Sequence, residues 1–85
     1  MTVDPTTQFN IADNFSAFTG RVDKSEYAQQ GIGELKKMAI KYKPYGAGPF
    51  ISGLLTNIKS QRAKMNDDAS AKAADEAIKA INDAK

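Results

Sequence analysis

Eighty-five residues hold one domain at most, and a chain of this size buries only about 60% of the surface it exposes when unfolded, so its core is small. Cysteine and histidine are both absent, which removes the disulfide staple, the thiolate and imidazole metal ligands, the commonest general base and the strongest nucleophile. The formal charge of +2 is too mild to imply a nucleic-acid partner by itself, and it is uneven: residues 21–64 carry +6, while the stretches on either side carry −2 each.

The predicted fold class is all-α: a helical hairpin in a single small domain over residues 1–85. Its start, Met1-Thr2-Val3-Asp4-Pro5, has neither a basic leader nor an apolar run, so no secretory signal is expected, and no stretch approaches the ~20 apolar residues of a membrane span. Residues 1–9 read as an extended arm, because Pro5 disfavours helix in the residue before it and the threonines add no helical push. A short helix over about 11–19 follows. Asn10 is its expected N-cap, Ile11, Phe15 and Phe18 share its apolar face, and Gly20 sits where a left-handed C-terminal residue belongs.

The helix over about 23–43 has the clearest signals. Asp23 with Glu26 three residues on resembles a capping box, and Ala28, Ile32, Leu35, Ala39 and Tyr42 recur at alternating four- and three-residue steps. Tyr27 and Met38 widen this stripe, and Glu34 with Lys37 forms an (i, i+3) pair on the opposite face. Gly31 and Gly33 each cost about 1 kcal/mol relative to alanine inside a helix. They mark a place where a neighbour comes close or the helix kinks.

Pro44 stops that helix, Tyr45-Gly46-Ala47-Gly48 provides the turn, and Pro49 suits the first position of a helix over about 49–65, with Ile51, Leu54, Leu55, Ile58 and Met65 on one face. So short a turn makes the two helices antiparallel. Asn66-Asp67-Asp68-Ala69-Ser70 favours a break before an Ala-rich helix over about 68–84. Without the break, residues 49–84 would run on as one rod of about 54 Å.

The Gly46-Ala47-Gly48-Pro49 turn has the bare amides of an anion cradle but lacks the phosphate-loop pattern, and turn chemistry explains it better. Pro44 to Ile58 is a run of fifteen uncharged residues. It reads either as an apolar tip formed by Tyr45, Phe50, Ile51 and Leu54 for a membrane surface, or, as preferred here, as the first turns of a core helix. Lys36, Lys37, Lys41, Lys43, Lys59, Arg62 and Lys64 are candidates for phosphate or headgroup contacts, yet 36–43 lie near the turn while 59–64 lie about 15–22 Å past it on the second arm, and most helical charge runs are solvated faces. The five serines have no histidine to activate them, and the acids Asp67, Asp68, Asp75 and Glu76 lack the order of a calcium loop.

Catalytic residues, metal ligands and cofactors are therefore not expected. The remaining signal is apolar surface at both ends of the chain: Phe9, Phe15 and Phe18 near the start, and Ala74, Ile78 and Ile81 near the end. These residues form the expected partner interface. The expected function is a non-enzymatic structural or assembly subunit, a virion or filament component for example, with protein partners that include copies of itself. A small nucleic-acid-binding regulator and membrane-surface association through residues 44–55 are the alternatives.

Overall fold

The structure is a computed structural model that describes residues 5–84, in which the chain forms four α-helices and a short 3-10 turn. The first helix, α1, spans Pro5–Arg21. It absorbs most of the expected arm, because Pro5 takes the first helical position, where its missing N–H is no loss; residues 1–4 of that arm lie outside the described residues. Asn10 is consequently mid-helix rather than a cap. Gly20 is also helical and not left-handed, and its role is close approach: a Cβ there would run into the Gln61 side chain.

Helix α2 spans Ser25–Lys41 and is capped by Lys24 in extended backbone, not by the expected Asp23. Its predicted stripe is the core face, with Ala28, Ile32, Leu35 and Ala39 buried and Tyr42 packed at the edge. Gly31 answers the close-approach expectation, since a Cβ would meet the Thr19 Oγ1 at 2.5 Å.

The turn Lys43–Tyr45 is 3-10 and ends on Gly46, the one described glycine at positive φ (81°). Gly46 N–H donates to the Lys43 carbonyl and Ala47 N–H to the Tyr42 carbonyl, the paired bonds of a Schellman closure. Helix α3 then runs Ala47–Lys64, two residues earlier than Pro49 predicted. Pro49 is tolerated at the third position because the first four helical N–H groups have no intrahelical partner in any case.

The break after α3 is real. Asn66 adopts φ 61°, Asn66 N–H donates to Ala63 and Asp67 N–H to Arg62, a second Schellman closure with asparagine in the left-handed position. Helix α4, Asp68–Asp83, starts from Asp67, whose carboxylate accepts the Ser70 N–H. With a longest dimension of 40 Å, the molecule has no room for the 54 Å rod.

Contacts at the helix ends fix the directions. Phe9 stacks on Phe50 (centroids 5.1 Å apart) near the starts of α1 and α3, and an Arg62 nitrogen donates to the Val22 carbonyl at their ends, so these two are parallel. Ser25 meets Asp67 and Ser70 at the starts of α2 and α4, while Lys43 Nζ donates to the Ala84 carbonyl at their ends, so these are parallel too. The result is an up-down-up-down bundle. The hairpin of α2 and α3 lies at its centre, with α1 packed against both on one flank and α4 against both on the other. The core is aliphatic and small-residue, built on Leu35, Ile51, Leu55 and Ile58 with alanines between them. Each such large side chain contributes about 1.5–3 kcal/mol on burial.

Candidate functional site

The most concentrated polar chemistry lies where the α1–α2 and α3–α4 connections meet. Arg62 is 1% exposed, since it occupies the next core position after Ile51, Leu55 and Ile58 on α3. Its Nε and one terminal nitrogen converge on the Asp67 Oδ2 at 2.9 and 2.6 Å, and the other terminal nitrogen donates to the Val22 carbonyl. The Asp67 Oδ1 accepts the Ser25 hydroxyl at 2.7 Å and the Ser70 amide at 3.3 Å. Burial pushes the Asp67 carboxyl up, but hydrogen bonds from Ser70, Ser25 and Arg62 outweigh it and hold the group well below the usual carboxylate range. The knot ties one end of every helix. All three guanidinium nitrogens are used internally, so its chemistry is structural.

This removes Arg62 from the expected phosphate contacts. The other six are spread out. Lys37 pairs with Glu34 at 3.5 Å, and Lys59 bonds Asp75 at 3.1 Å. That bond, helped by the Lys59 and Lys79 charges, lowers the Asp75 carboxyl. Lys41 lies over the Tyr42 ring, Lys43 holds Ala84, Lys36 lines a cleft against Glu76 of α4, and Lys64 is exposed at the far end of α3. No common basic patch is assembled from them.

The apolar tip divides. Ile51 is fully buried and Leu54 is packed at the core edge, whereas Phe50, stacked on Phe9, stays 38% exposed and Tyr45 56% exposed. No described helix is long and apolar enough to cross a membrane.

The expected partner residues divide. Ala74 and Ile81 are buried in the bundle's own core and Ile78 packs against it, a correction that follows from α4 docking along α2 and α3 instead of standing free. Phe9 is spent in the Phe50 stack. Phe15 and Phe18 differ: they line a groove of about 550 Å³ between α1 and α2, with Thr19 and Gly31 in its wall and Tyr27, Glu34 and Lys37 along its α2 side. Phe18 is 58% and Tyr27 50% exposed, and Ile11, on the same α1 face, is 47% exposed. Lys24 lies 5.6 Å from the Tyr27 ring. Tyr27, expected to widen the core stripe, is instead part of this outer face, because α1 covers α2 on the Gly31 side and stops short of it.

Sequence reasoning missed the knot and the exposure of Tyr27. A signal for the first was present: Arg62 keeps the four- and three-residue spacing of the α3 core stripe, and an arginine there needs a buried acceptor. No protein-family description matches the chain, and neither the curated proteins nor the solved structures contain a significant match.

Proposed function

We propose that the protein is a non-enzymatic structural or assembly subunit of a larger complex, of the kind that builds a virion or filament, and that it engages protein partners through the α1/α2 face. The observation that supports this is the exposure of Phe18 and Tyr27 in the lining of one groove, with Ile11 exposed further along the same α1 face. Exposed aromatic surface of this kind is disfavoured in water and enriched where proteins meet.

Neither alternative gains a favouring observation. The cations that a nucleic acid would need are dispersed or already paired, and the segment offered to a membrane gives Ala47, Ile51 and Leu55 to the core.

A photoreactive residue in place of Phe18, introduced in the native cell, tests the reading. Protein adducts at position 18 and none at Thr56, on the polar outer side of α3, are expected; if position 18 yields no adduct, the reading is wrong.

A further inference from the structure

Building on that reading, we infer that the partner docks an acidic amphipathic helix along the seam between α1 and α2, with its apolar stripe on the exposed rings and its carboxylates on Lys24, Lys37 and Lys41. The groove beside Phe18 and Tyr27 shares Glu34 and Lys37 with a second groove of about 360 Å³, lined further on by Gln8, Met38, Lys41 and Tyr42. One trough therefore follows the seam along most of α2, whose 17 residues span about 25 Å at 1.5 Å per residue. On the α1 side Gln8, Ile11, Phe15 and Phe18 recur at three- and four-residue steps and so share the face that meets it.

The charge on this trough is one-sided. Lys24 stands over the Tyr27 ring at 5.6 Å and Lys41 over the Tyr42 ring at 5.4 Å, so a cation is held towards each end. Lys37 lies between them, and Glu34 is the one acid among the described residues that line the trough. The Lys37–Glu34 pair is exposed at the surface, so Lys37 gives up little in turning to a partner's carboxylate. Cations spaced along an apolar floor complement carboxylates that flank an apolar stripe. One face of each tyrosine ring is already taken by an ammonium group, which disfavours the stacking of nucleic-acid bases there. A helix is the form that fits, because α1 and α2 keep their backbone hydrogen bonds to themselves and a bound segment must satisfy its own. The acidic helix of this chain, α4, spends its apolar face on α2 and α3, so a copy does not supply the occupant.

Fluorescence anisotropy of two dye-labelled, stapled helical peptides, titrated with the full chain, tests the inference. Both peptides carry the same leucine stripe over about 17 residues, flanked by glutamates in one and by lysines in the other. The glutamate peptide is expected to bind at least about tenfold more tightly, with an affinity that falls as salt is raised. Lys24→Glu, Lys37→Glu and Lys41→Glu combined reverse the preference, and Phe18→Asp weakens the binding of both peptides. All four side chains are exposed, so circular dichroism is expected to show these variants folded. Lys72→Glu, on α4, leaves the preference unchanged. The inference is overturned by equal affinities, by no binding of either peptide, or by tighter binding to oligothymidylate or phosphatidylserine vesicles that the same charge reversal abolishes. If position 18 cross-links to proteins in the cell while the glutamate peptide stays unbound, the interaction role stands and the acidic helix was wrong.

Discussion

The Arg62–Asp67 knot and the α1/α2 face reverse what the residue types suggest: a charged pair is buried in the first, and aromatic rings are exposed in the second. At the knot, a guanidinium and a carboxylate are withdrawn from water and surrounded by donors and acceptors from all four helices: Val22 at the end of α1, Ser25 at the start of α2, and Ser70 in the first turn of α4. At the α1/α2 face, aromatic rings that could have been buried stay in solvent. Satisfied buried charges select one arrangement of the helix ends because any other leaves an ion unpaired. Exposed rings select nothing within the protomer. The first region therefore belongs to folding, and the second is free to serve association.

Removing one member of the knot gives the largest expected effect. Asp67→Ala leaves the Arg62 charge buried without its partner and should lower stability by about 3–5 kcal/mol in urea unfolding. A loss below about 1 kcal/mol would mean that the knot is ornamental and that the helix ends are held by apolar packing. The same pair sets an acid limit. The Asp67 pKa is lowered on folding, so its contribution is intact above the ordinary value of 3.8 and is lost as pH falls below it, where the unfolded chain takes up the proton first. Stability measured against pH should fall below that point, and the fall should be shallower in Asp67→Asn.

A smaller loss is expected between the two regions, where α1 crosses α2. Gly31→Ala drives a methyl group against buried Thr19, and a cost of about 1–3 kcal/mol is expected from the forced shift of α1. At the aromatic face itself, Phe18→Ser should change protomer stability by less than about 0.5 kcal/mol under conditions where the chain is monomeric. A large loss in thermal unfolding would place Phe18 in the core and erase the contrast between the regions.

Much of the fold was legible. The four- and three-residue spacing of Ala28, Ile32, Leu35 and Ala39 named the core face of α2, and Asn66-Asp67 marked the break that turned a rod into two helices. The helix starts were read less well. Asp23 and Asn10 are good caps in isolation, but Pro5 starts α1 earlier and the Ser25 bonds to Asp67 and Ser70 set where α2 begins. Of the candidate site, Phe15 and Phe18 were found in the sequence. Ala74, Ile78 and Ile81 were assigned to a partner because nothing local says that α4 folds back along α2.

By itself, the amino-acid order determined the helical class, the apolar faces of the three later helices, and the glycine and asparagine closures that end two of the elements. These depend on backbone geometry and periodicity, which act over a few residues. Only the tertiary structure decided that Arg62 is buried while Tyr27 is exposed, that α4 completes the core, and that a groove opens beside Phe18. Burial depends on which neighbour covers a given side chain, and those neighbours are set by contacts between residues as far apart as Ser25 and Ser70.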